Sequence, residues 1–104
     1  MPGIARKGGE DLVASPDGSG DGCGSPTTQA TDAGSSDVFI NGIGAVRKDD
    51  AMKSHNGPSC IPHSPTLSTY SKSVFVNGKN VGRDGDGYGS HIISSGSTNV
   101  FAGG

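Results

Sequence analysis

The sequence predicts an all-β fold of short strands and long loops, and three observations predict it. A short β-branched and aromatic segment recurs along the chain, its first two copies end in Asn-Gly, and no stretch of useful length carries the apolar period of a helix. At 104 residues the chain has room for one domain, residues 1–104, and for no second core.

Aligning the chain on itself locates the strands. Ser36-Asp37-Val38-Phe39-Ile40-Asn41-Gly42 matches Lys72-Ser73-Val74-Phe75-Val76-Asn77-Gly78, and Val100-Phe101-Ala102-Gly103-Gly104 reads as a third, truncated copy. Counted from Phe to Phe, the copies lie 36 and 26 residues apart. Side chains alternate along a strand, so each Phe should face away from its two neighbours. Asn-Gly tolerates the positive φ of a tight primed turn, which makes each full copy the first arm of a hairpin. A second element travels with the first. Arg47-Lys48-Asp49-Asp50 begins eight residues after Phe39, and Arg83-Asp84-Gly85-Asp86 begins eight after Phe75. Gly and Asp suit a sharp turn there. Arg6-Lys7-Gly8-Gly9 reads as the first copy of this element.

Between these elements, residues 10–35 and 50–70 are rich in Gly, Ser, Pro and Asp and read as loops. Loops so long in so small a domain call for something that pins them. The apolar inventory is also thin: 30% hydrophobic residues, no Trp, and 19 Gly that each lose extra backbone entropy on ordering. Burial alone does not hold such a chain, which is then either disordered or held by disulfides, a metal or a partner.

Ligand-type residues fall in those loops. His55 lies five residues after Asp50, and His91 lies five after Asp86, the same offset in successive repeats. His63 sits in Cys60-Ile61-Pro62-His63, and Cys23 in Gly22-Cys23-Gly24-Ser25. Each repeat therefore delivers ligand types to one region. Imidazole and thiolate are the donors that tetrahedral Zn²⁺ accepts, and a closed shell of four protein ligands is structural rather than catalytic.

The opening Pro2-Gly3-Ile4-Ala5-Arg6-Lys7-Gly8, the repeated Ser-x-x-Val-Phe-x-Asn-Gly, the Arg-x-Gly-Asp that follows it, and the final Gly96-Ser97-Thr98-Asn99-Val100-Phe101-Ala102-Gly103 resemble PAAR-repeat proteins. The resemblance covers nearly the whole chain and is weakest over residues 9–33. Three departures stand out: Gly8-Gly9 replaces the usual Gly-Asp, Asp49-Asp50 replaces it in the next copy, and the second strand reads Gly44-Ala45-Val46-Arg47 with the alanine slightly out of the common frame. The resemblance implies a squat cone with pseudo-threefold symmetry, a triangular base, and a structural zinc near the apex held by three His and one Cys. Carried onto this chain, those ligands are Cys23, His55, His63 and His91. Cys23 is taken ahead of Cys60 because the first loop otherwise contributes no ligand. Cys60 as the thiolate, a Cys23–Cys60 disulfide, and Cys60 as a bystander stay open, although a cytosolic start argues against the disulfide.

The resemblance further implies a mechanical function without catalysis. One copy would cap a trimeric β-helical spike, on a contractile phage tail or a type VI secretion system, and be driven against the outer membrane of a target cell. No fused toxin segment follows the last repeat, which favours a plain structural tip. The start lacks the apolar stretch of a secretory signal, so the expected route is synthesis in the cytosol and delivery by the machine. The alternative is a metal- or disulfide-stapled β-repeat module that binds a surface ligand. A third class, a small zinc hydrolase, would need three His and an open metal position.

Other signals exclude more than they assign. Eight basic against ten acidic residues, with few aromatics and no basic stripe, offer nothing to nucleic acid. The longest aliphatic or aromatic runs, Val38-Phe39-Ile40 and Val74-Phe75-Val76, are far too short to span a membrane. Asp84-Gly85-Asp86-Gly87-Tyr88-Gly89 has the spacing of a calcium loop, but Ser95 stands where the closing carboxylate belongs, so it reads as a turn. There is no Gly-x-Ser-x-Gly nucleophile turn and no phosphate-binding glycine loop.

Overall fold

The structure, a computed structural model, describes residues 2–15, 27–56 and 61–103. Ten short strands and no helix make up the described residues. Two Asn-Gly hairpins form where the repeat places them: β3 (Phe39–Ile40) with β4 (Ile43–Gly44), and β7 (Phe75–Val76) with β8 (Lys79–Asn80). Asn41 and Asn77 both sit at φ 55°, followed by Gly42 and Gly78 at 80° and 75°. Positive φ at both central residues is what a primed two-residue turn requires.

The C-terminal copy pairs antiparallel with the N-terminal segment, which takes the place of a hairpin's second arm. Phe101 pairs with Gly3, as Phe39 pairs with Gly44 and Phe75 with Asn80. The Ile4 amide donates to Val100 O at 2.9 Å, the bond that Ala45 makes to Val38 (3.1 Å) and Val81 to Val74 (3.0 Å). The third copy is truncated in sequence, and the N-terminal segment supplies the arm that pairs with it.

Three main-chain bonds then join the repeats in a closed cycle. Ala5 donates to Gly82 O (2.9 Å), Gly82 to Val46 O (2.8 Å), and Val46 to Ala5 O (3.0 Å). Each of these residues immediately precedes one of the repeated arginines, Arg6, Arg47 and Arg83. The small apolar core lies in two clusters. Ile4, Ala45 and Val81 pack with Ile40, Val76 and Ala102 under the hairpins. Val13, Met52 and Tyr88 pack with Ala5, Val46, Leu67 and Ile93 in the other. Gly82 occupies the position held by Ala5 and Val46 because Leu67 fills the space; a Cβ there would lie 2.7 Å from Leu67 Cδ2.

Residues 10–35 and 50–70, expected to be loops, contain strands as well. β1 (Leu12–Ser15) is central in a four-stranded antiparallel sheet of order β2-β1-β10-β9, with β2 at Thr27–Ala30, β9 at Gly87–Tyr88 and β10 at His91–Ile93. Val13 and Ser15 are buried and Leu12 and Ala14 exposed, the alternation of a half-buried strand. The remaining pair is β5 (His55–Asn56) with β6 (Pro62–His63).

Candidate functional site

The repeated Arg-Asp element builds three matching junctions. Arg47 Nε and Nη2 donate to Asp50 Oδ2 and Oδ1 at 2.9 and 3.1 Å, while the Arg47 amide donates to Oδ2 at 2.8 Å. Arg83 repeats this on Asp86 at 2.7, 3.1 and 2.9 Å. Arg6 repeats it on Asp11 at 3.0, 3.0 and 2.6 Å. The carboxylate that Gly8-Gly9 lacked is thus supplied by Asp11, two positions later than in the other copies. Sequence spacing alone missed it because the turn is longer there. Each guanidinium is held charged, its pKa raised chiefly by the hydrogen bond to its aspartate. The turns behind them need positive φ, and Asp49 adopts it (73°) as Gly85 does (94°).

The third nitrogen of each arginine reaches into the next repeat. Arg6 Nη1 donates to Asn41 Oδ1 (3.3 Å), Arg47 Nη1 to Asn77 Oδ1 (3.0 Å), and Arg83 Nη1 to the Gly103 carbonyl (3.2 Å). The same three oxygens accept from Ser97 Oγ (2.7 Å), Ser35 Oγ (2.6 Å) and Ser71 Oγ (2.6 Å). Asn41 and Asn77 therefore turn the hairpin and also bind the neighbouring repeat. At the closing junction a main-chain carbonyl does the second job. The Asn77 amide and the Ser35 hydroxyl also hold the Asp37 carboxyl below its usual range. Ser35, Ser71 and Ser97 were visible as the first residue of Ser-x-x-Val, but nothing in the spacing marked their role.

On the outside, the alternation leaves Phe39, Phe75 and Phe101 at 56%, 55% and 48% exposure while their neighbours Ile40, Val76 and Ala102 are buried. Three large aromatics at equivalent positions are thus held against solvent by the same backbone device.

The histidines gather on two hairpins. In β5–β6 His55 lies directly opposite His63. The His63 and His91 rings stand edge to face with centroids 5.3 Å apart. His91 is 2% exposed, and its Nδ1 lies 3.1 Å from the Tyr88 carbonyl across the β9–β10 turn. Among the described residues no three His, Cys, Asp or Glu side chains converge as a ligand set. Cys23 and Cys60 lie outside the described residues, as does the His55 side chain. Three imidazole-bearing residues therefore come from strand positions that are adjacent in pairs, and the thiolate position is not among the described ones.

Tyr88 stands apart. It is fully buried, and its hydroxyl has no hydrogen-bond partner among the described residues. Burial, reinforced by the charges of Asp50, Asp11 and Asp32, pushes that hydroxyl well above its ordinary pKa. Asp86 in the former calcium-loop reading is occupied by Arg83, as a turn residue would be. Compared with known protein families and with curated proteins, the chain matches none.

Proposed function

We propose that this chain is the tip of a contractile injection machine: a cone of pseudo-threefold symmetry that caps a trimeric β-helical spike, held at its narrow end by a structural zinc. The observation that carries the reading is the cyclic set of junctions. Three arginines, three acceptor oxygens and three main-chain bonds run from each repeat to the next and close on themselves. A single chain with three quasi-equivalent repeats can meet a threefold partner with three copies of one contact. Phe39, Phe75 and Phe101 are the residues that would make it, as exposed aromatic anchors. Two of the three repeats run from Phe through the ring to Asp and on to a histidine five residues later, His55 after Asp50 and His91 after Asp86, while Asp11 leads to the segment that contains Cys23.

The pair of candidate ligands whose side chains are described, His63 and His91, has a spacing compatible with a shared zinc. Two imidazoles on one tetrahedral zinc put their ring centres about 5 Å apart, given Zn–N near 2.0–2.1 Å. His63 and His91 are at 5.3 Å. His55, His63, His91 and Cys23, with Cys60 as the other thiolate, would hold the ion, and the ion would supply folding free energy on the order of 10 kcal/mol. The ring and the apolar clusters hold the repeats together, and the metal would tie the histidine-bearing segments to one another.

The test is to mix the protein with a trimeric β-helical spike end and weigh the complex by native mass spectrometry. One cap per three spike chains is expected, and Phe39→Ser/Phe75→Ser/Phe101→Ser should abolish binding while keeping the melting transition. No complex, or one cap per spike chain, overturns the assignment. A surface-ligand module predicts indifference to the spike.

A further inference from the structure

Resting on the zinc reading above, we infer that His91 ligates through Nε2, and that the Tyr88 main-chain carbonyl is the positioning group that selects this nitrogen. A carbonyl oxygen only accepts. At 3.1 Å from it, Nδ1 must be the ring nitrogen that carries the proton. In a neutral imidazole the other nitrogen then holds the lone pair, and a metal can take only that one without breaking the bond to Tyr88. Histidine ligands of metals commonly donate their second N–H in this way, which fixes tautomer and ring angle and raises ligand basicity.

The device is built from the hairpin itself. Tyr88 and His91 face each other in register across a two-residue turn in which Gly89 adopts φ 67°. Tyr88 is anchored by its fully buried side chain, and Ile93, two residues past His91, is buried in the same cluster. β10 is further clamped on its other side by β1, with Val13 opposite Ile93. His91 is therefore held by a four-stranded sheet and a buried hydrogen bond. His55 and His63 lie on the two-stranded β5–β6 ribbon, which is joined to the end of β2 through the Thr31–Met52 bridge and the Lys53 amide on the Ala30 carbonyl (2.9 Å). The site therefore has one wall at β9–β10 and another at β5–β6. A metal held by His91 would be positioned from the sheet side, with His63 facing it from the ribbon.

The experiment uses the full chain with isotope-labelled histidine, loaded with an NMR-active cadmium isotope in place of zinc. Long-range proton–nitrogen spectra report which ring nitrogen is protonated, and metal–nitrogen coupling reports which is bound. The inference expects a slowly exchanging proton on Nδ1 of His91 and coupling to its Nε2. Coupling to Nδ1 of His91 overturns the inference and leaves the metal reading standing. Coupling to His55 and His63 but neither nitrogen of His91 removes His91 from the shell and also overturns it. Absence of coupling at every histidine overturns the metal reading and the inference with it.

Discussion

Each repeated arginine spends all of its fork. Two nitrogens of Arg47 bind the Asp50 carboxylate and the third crosses to Asn77, a geometry a lysine cannot reproduce. The Asp50 side chain is 8% exposed. Removing its partner would strand a buried charge. Arg47→Met should therefore cost about 3–5 kcal/mol, and Arg6→Met and Arg83→Met should cost the same within error. Urea denaturation of the three variants checks both the size and the equality. A junction that could be lost for nothing would show that the cycle is decorative. Tyr88 makes the opposite case. Its buried hydroxyl is unsatisfied among the described residues, so Tyr88→Phe should raise stability by about 1 kcal/mol, read as a shift of the urea midpoint. A loss instead would reveal a bound water or another partner on that oxygen.

The hairpin is the element that the cycle repeats, and one of the three is assembled from the two ends of the chain. Residues 2–5 supply its second arm, one bond of the main-chain ring, and the apolar Ile4 and Ala5. Deleting residues 1–5 should abolish the cooperative melting transition rather than fray one corner, measured by circular dichroism. A transition of unchanged height and midpoint would mean that the ring tolerates a gap. This element also separates what could be read in advance from what could not. The Asn-Gly hairpins announce themselves locally, through turn chemistry and a buried-exposed alternation. The closing hairpin does not, because Phe101 and Gly3 meet only after the other two repeats have bent the chain back. β1 and β10 were missed for the same reason. Leu12–Ser15 and His91–Ile93 lie about 80 residues apart, and Thr27–Ala30 is polar enough to look like loop until β1 pairs with it. Asp11 was hidden by a turn two residues longer than its counterparts. The histidine offsets were legible, and two of the three rings are near each other. The cysteine partner was not decidable from spacing, since two loops each offer one.

At the scale of the whole molecule, the apolar clusters are small for a chain so rich in glycine, and among the described residues each repeated arginine carries a matching set of side-chain bonds around the ring. That half is self-sufficient: each repeat is satisfied by the next. The segments that carry His91 and His63 are anchored on the second apolar cluster through Tyr88, Ile93, Met52 and Leu67, and in the proposed tip the ion would tie them to one another. A cap driven against a membrane must be stiff at the end that meets it, and a tetrahedral metal gives stiffness where there are too few side chains for a core. Metal content and zinc-edge absorption on the purified full chain test this most directly. The account predicts one zinc per chain, bound by three nitrogens at about 2.0–2.1 Å and one sulfur at about 2.3 Å. A chain that folds without stoichiometric zinc, or a shell with no sulfur and an exchangeable water, would contradict it.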